Sequence, residues 1–161
     1  MHRLLALCLA LTLLPGLAMA QVDIGFGGVV YDNSQPVEIT SDTLTVDQTS
    51  GEAIFTGNVI VIQGDLRMAA ARVRVIDEPG GTSANDVREV IATGGVLITR
   101  GTDAAEGARA VYSVASSLLT LTGNVLVTQG TTAIAGDSMV VNMETGNGSV
   151  DGRVRTVLGG E

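Results

Sequence analysis

The chain has 161 residues, 17 acidic and 9 basic side chains, a formal charge of −8, and only 2% aromatic residues. It has no Lys or Trp, one His and one Cys. An acidic chain without a basic stripe is a poor nucleic-acid partner, and this inventory offers no set of imidazole or thiolate ligands for a metal.

The first twenty residues carry the pattern of a cleavable export signal. His2 and Arg3 form a short n-region, Leu4–Leu14 an apolar stretch, and Pro15-Gly16 breaks it before Ala18-Met19-Ala20. Cleavage is expected before Gln21. The apolar run is short for a bilayer span, and Cys8 lies inside it rather than at its end, so lipidation is not expected. Removal takes away the chain's only His and Cys and leaves eight Arg against 17 acids. The mature protein is then expected to have no disulfide, no histidine base, no metal and no cofactor, and not to be an enzyme. It is expected to be soluble and extracytoplasmic. Residues 21–35 are glycine-rich and expected to form a flexible leader; residues 36–161 form one domain.

Within that domain the apolar residues alternate by two, the period of a half-buried strand. PVEIT sets Val37 and Ile39 against Glu38 and Thr40, and SDTLTVD sets Leu44 and Val46 against Thr43, Thr45 and Asp47. QTSG turns the chain into EAIFTGNVIVI, a long strand that includes Phe55 and is expected to bend at Gly57. After Gly64-Asp65, LRMAAARVRVI returns with Leu66, Met68, Val73 and Val75 inward and Arg67, Arg72 and Arg74 outward. The change of parity between Met68 and Val73 predicts a bulge at Ala69–Ala71. Val87–Ala92 leads into TGGVLITRG, and GTDAAEG is expected to turn the chain into ARAVYSV, which contains Tyr112. LLTLTGNVLVTQG then runs out, with Leu121 among its apolar positions, and TTAIAGDSMVVNM returns with Ile134, Met139 and Val141. ETGNGS reverses the chain before VDGRVRTVLGGE. No segment has the apolar period of an amphipathic helix.

One phrase recurs through this scheme. TGNVIVIQG begins at Thr56, TGGVLITRG at Thr93, TGNVLVTQG at Thr122 and the worn DGRVRTVLG at Asp151, at spacings of 37, 29 and 29 residues. The turn-rich insert Glu78–Asp86 absorbs the longer first interval. Each copy is expected as a strand between two glycine turns, repeated in equivalent layers. Val59, Val96, Val125 and Val154, with Val61, Ile98, Val127 and Thr156 two residues on, are the more uniformly apolar and β-branched parity, so they are expected to face inward. Ile60, Leu97, Leu126 and Arg155 face outward. With so few aromatics, Val, Leu, Ile, Met and Ala line the interior, a lining that guest hydrocarbon could complete and that could equally be plain core.

The ordered set QPVEITSDTLTVD, TGNVIVIQG before a strand ending RVRVID, TGNVLVTQG…AGDSMVVNM and RVRTVLGG resembles the OstA/LptA family from Gln35 to about Gly159. A single TGNV is weak evidence, whereas ordered copies behind a signal are strong. The resemblance implies an all-β fold, a twisted antiparallel β-jellyroll built from repeated strands, open along one side and at both ends. It implies that the apolar interior, formed by the inward residues named above from Val37 to Val141, takes up the acyl chains of lipopolysaccharide (lipid A). It further implies a head-to-tail homo-oligomer bridging an LptC-like inner-membrane partner and an LptD-like outer-membrane partner. The segment around GTDAAEGAR is compact for the family, and the sequence ends just after the last motif, where some relatives carry a polar, basic tail.

Other classes remain open at this stage. A membrane-anchored LptC-like relative would keep an N-terminal helix, against which the Ala-Met-Ala site argues. A structural β-solenoid would repeat more strictly over many more coils. A carbohydrate-active β-helix enzyme is the most distant.

Overall fold

The sequence period of two becomes ten strands: β1 (Val37–Thr40), β2 (Thr43–Asp47), β3 (Glu52–Gln63), β4 (Leu66–Asp77), β5 (Val87–Arg100), β6 (Asp103–Ser113), β7 (Leu118–Gln129), β8 (Thr132–Asn142), β9 (Gly148–Asp151) and β10 (Arg155–Val157). The computed structural model describes residues 35–80 and 86–159. The expected signal, 1–20, and nearly all of the expected leader, 21–35, lie outside the described residues. No helix among those described is long and apolar enough to cross a membrane.

All ten strands form one antiparallel sheet. From β3 to β8 each strand pairs with the next in sequence, and the ends are split: β1 and β2 share β3, while β9 and β10 share β8. Nothing pairs the outer sides of β1 and β2 with those of β9 and β10 among the described residues, so the sheet is unclosed. This is the antiparallel jellyroll expected.

Every long strand is interrupted near its middle. Register slips between Thr56 and Val59, Ala69 and Arg72, Thr93 and Val96, Glu106 and Arg109, and Thr122 and Val125. The bulge expected at Ala69–Ala71 is therefore present. The first glycine of the phrase is a corner inside β3, β5 and β7, as expected for the bend at Gly57 and in place of the entry turn that the repeat suggested for the others. In the fourth copy it lies between β9 and β10. Gly57-Asn58, Gly94-Gly95, Gly123-Asn124 and Gly152-Arg153 are each two successive residues at positive φ, between 46° and 85°. Such a pair redirects the strand and suits glycine, or a short polar residue, far better than a β-branched one. Between these corners stand those of the alternate strands, where Asp42, Ala71, Ala108 and Asp137 approach Gly57, Gly94, Gly123 and Gly152 in turn. At the two ends the pairing is also a hydrogen bond: Asp42 N–H donates to Gly57 C=O at 2.9 Å and Asp137 N–H to Gly152 C=O at 3.0 Å.

The column of corners divides the sheet into two wings. One wing carries β2 and β9, the other β1 and β10, and they fold over one another around a single core cluster. Their free margins are formed by the hairpin turns. Two-residue turns at Gly64-Asp65, Gly101-Thr102 and Gly130-Thr131 edge the β1 wing, and longer turns edge the other.

Asp103–Gly107, expected as a turn, is strand. Its small residues have poor intrinsic β preference, but β5 and β7 pair it on both sides, and Ala105 is 1% exposed beneath the opposite wing. Tertiary pairing overrides propensity there.

Candidate functional site

The corner geometry aligns the inward residues of successive strands into rows that cross the sheet. On the β2 wing, registered pairs run Leu44–Phe55–Val73–Ala92–Ala110–Leu121–Met139–Val150. A second row runs Val46–Ala53–Val75–Val90–Tyr112–Leu119–Val141. On the β1 wing the matching row is Ile39–Val61–Met68–Ile98–Ala105–Val127–Ile134, ending on Thr156. Registered neighbours in an antiparallel sheet share a face, so three continuous apolar tracks line the inside.

Burial is graded along these tracks. Val59, Val73, Val96, Ile98, Leu121, Val125, Val127, Ile134, Met139 and Val141 are buried, while Ile39, Phe55, Val61, Leu66, Met68, Val75 and Tyr112 are partly buried against them. Val37, Leu44 and Val46 are exposed by 55%, 52% and 59%. Their expected enclosure is corrected: they stand in or beside the inward rows, but β1 and β2 end the sheet and no strand covers them. Val154, expected inward with Val59, Val96 and Val125, is 51% exposed, because it lies between β9 and β10 and not within a strand. The interior is therefore a dry core toward β8 and a greasy, open mouth at β1 and β2. Between the wings, Ile98 and Ala105 meet Leu119, Met139, Val141 and Met143 with no room for a water molecule.

The outward parity holds as well. Ile62, Leu97 and Leu126 are 36–39% exposed. Arg67, Arg72, Arg74 and Arg109 stand in outward register, and Arg74 pairs with Glu52 at 2.7 Å. At the corner of β8, Arg153 donates to Asp137 at 2.8 Å, which holds that carboxyl below its ordinary range. Asp47 is lowered too, because its carboxylate accepts the backbone N–H groups of Thr49 and Ser50 in the turn after β2. Burial raises the Tyr112 phenol, partly offset by a hydrogen bond with Ser117.

One inward residue escaped the sequence reading. Arg100 follows Val96 and Ile98 at the same parity, and with 6% exposure it is the one buried charged residue among those described. Its Nε donates to Asp65 at 3.0 Å. The signal was available: the eighth residue of the first three repeats is Gln63, Arg100 and Gln129, each with the inward parity of the valines before it. Arg67, Arg72 and Arg74 all face away from the interior, as their parity predicted.

This arrangement can hold apolar chains along a face and present polar groups at a margin. Among the described residues no group of three His, Cys, Asp or Glu side chains is placed to hold a metal.

Comparison with known proteins points the same way. Residues 38–147 match the family model described as LptA/(LptD N-terminal domain) LPS transport protein. An uncharacterized protein of Rhizobium meliloti (strain 1021) is 31% identical over 159 residues, covering 93% of this chain and 86% of that protein. The lipopolysaccharide export system protein LptA of Escherichia coli (strain K12) is 35% identical over 79 residues, 49% of this chain and 42% of that one. That alignment spans less than half of either chain. Among solved structures, LptH, the LptA homologous periplasmic component of the lipopolysaccharide transport device from Pseudomonas aeruginosa, superposes with a TM-score of 0.69. The superposition covers 80% of this chain and 99% of LptH at 18% identity, a likeness of fold.

Proposed function

We propose, from the premise that the chain belongs to the LptA/(LptD N-terminal domain) family of LPS transport proteins, that it is a periplasmic carrier that binds lipopolysaccharide and shields its lipid A acyl chains. The observation that carries this reading is the set of apolar rows crossing the whole inner face, uncovered where β1 and β2 end the sheet. An acyl chain of about twelve methylenes costs roughly 10 kcal/mol to expose to water. A continuous apolar track lowers that cost along its length and needs no catalytic group, so the role is transport and not catalysis. Because the wings meet without a gap near Leu119 and Met139, an acyl chain enters at the open mouth and spreads them as it advances.

The same reading assigns the partners. The unpaired sides of β1 and β10 are templates for strand addition, and joining one end to the other is a heterologous contact that grows into a chain. Copies would stack head to tail between an LptC-like inner-membrane partner and an LptD-like outer-membrane partner. Export would follow from cleavage before Gln21.

A photoreactive residue placed at Val61, on the inner face, should capture labelled lipopolysaccharide in cells. One placed at Leu126, exposed on the outer face, should not. Equal capture from both positions, or none from Val61 in a folded protein, would overturn the carrier reading.

A further inference from the structure

The inner face is apolar until its last row, where the β1 wing meets its hairpin turns. There the eighth residues of three repeats, Gln63, Arg100 and Gln129, share one inward parity, and all three carry side-chain N–H donors, of which the Gln63 amide already donates to Gln35 C=O at 2.8 Å. Arg100 sits two residues beyond Ile98, which lines the closed space between the wings. Its guanidinium is thus a buried cation at the margin of the acyl-binding face, while Arg67, Arg72, Arg74 and Arg109 lie on the other side of the sheet.

Resting on the carrier reading above, we propose that this donor rim, anchored by Arg100, recognises a phosphate monoester on the headgroup of the lipid whose acyl chains occupy the interior. A planar guanidinium with five donors matches a phosphate's oxygens in a way that a point charge does not. The protein as a whole is acidic, so long-range attraction cannot hold an anionic headgroup and a local, desolvated donor must. Asp65 supplies one resting partner. It belongs to the Gly64-Asp65 turn and its side chain is 65% exposed, whereas that of Arg100 is 7% exposed. A carboxylate so placed can swing into water without leaving a buried charge of its own. Asp103, the register partner of Arg100, adds a second acid at the same margin. The phosphate therefore exchanges with a carboxylate on a guanidinium that stays paired throughout.

The alternative is that Arg100 and Asp65 only clamp a hairpin. The two roles give opposite results for Asp65→Asn. Binding of bis-phosphorylated lipid A and of its fully dephosphorylated form should be measured on the mature chain, in parallel with circular dichroism. The wild type should prefer the phosphorylated form by roughly tenfold, the effect of one charge-assisted contact. Arg100→Met, which keeps the apolar stem, should abolish the preference and leave the dephosphorylated form bound as before. Asp65→Asn, a change at an exposed turn, should increase the preference by removing the competing carboxylate. Inorganic phosphate at millimolar concentration should leave the preference intact; if it abolishes it, the rim is a free-phosphate site and the headgroup assignment falls. A preference retained in Arg100→Met, or lowered in folded Asp65→Asn, overturns the proposal while leaving the carrier standing. Failure of the wild type to bind either lipid overturns both.

Discussion

Gly94 and Gly95 are adjacent in the β5 corner with φ of 85° and 82°, so replacing either by alanine imposes nearly the same backbone strain. A left-handed conformation costs an L-residue about 1–2 kcal/mol. The space around them differs. A Cβ at Gly95 meets nothing within 4 Å, whereas one at Gly94 lies 2.5 Å from the Cβ of Ala71 in the neighbouring corner of β4. Overpacking of this kind typically adds 1–3 kcal/mol. Gly95→Ala should therefore lose about 1–2 kcal/mol and Gly94→Ala about 2–5 kcal/mol. Equilibrium urea unfolding, followed by two probes to check that the transition is two-state, reads both. Ala71→Gly supplies the decisive arm, because it removes the clashing methyl and leaves φ alone. In the Ala71→Gly background, Gly94→Ala should fall to the cost of Gly95→Ala. Equal losses from the two single variants, or no rescue by Ala71→Gly, would refute the claim that the corners are held by close approach of alternate strands.

Val61→Asp should abolish lipid binding, since it places a charge on the inner face beside Met68 and Ile39, while Ile60→Asp on the outer face should cost much less; matched binding assays and circular dichroism decide it, and equal losses from folded variants would reverse the faces. The lowered Asp137 carboxyl, held by Arg153, contributes stability that is present above the ordinary Asp value near 3.8 and lost as pH falls through the lower folded value. Melting temperatures between about pH 6 and about pH 2 should thus fall less steeply in Asp137→Asn than in the wild type, and parallel curves would deny the pair any role. Light scattering over a wide concentration range should show oligomers that Val157→Pro weakens, because proline removes a donor from β10 and restricts it; a monomeric wild type would end self-assembly and leave only unlike partners.

Much of this architecture is legible in the residues. Alternation at Val59, Val61 and Ile60 names the inner and outer faces, because side chains alternate strictly across a strand. The parity break between Met68 and Val73 places a corner with no glycine to mark it. Three things were hidden. Asp103–Gly107 has the composition of a turn, and only pairing on both sides makes it strand. Alternation reports which face a side chain takes but not what lies over it, so Leu44 and Val46 looked as enclosed as Val73. Arg100 was hidden by its charge, since arginine is ordinarily taken to face water; only continuing the count from Val96 and Ile98 turns it inward. A family of identical repeats tempts the reader to study what is shared, whereas Arg100 is where one copy differs from the other two.

The alternation of corners carries a consequence for growth by addition. Starting at Asp42 and ending at Gly152-Arg153, the close-approach residue and the left-handed glycine take turns without interruption across the sheet. The described sheet thus has one type at its first corner and the other at its last. A second copy laid against β9 and β10 would present its own Asp42 corner next, which is the type the sequence of corners calls for. Such an addition would keep the alternation in phase, with no mismatched seam at the junction. Insertion or loss of a whole hairpin preserves that phase, and insertion or loss of a single strand destroys it. Length in this architecture is quantised in hairpins.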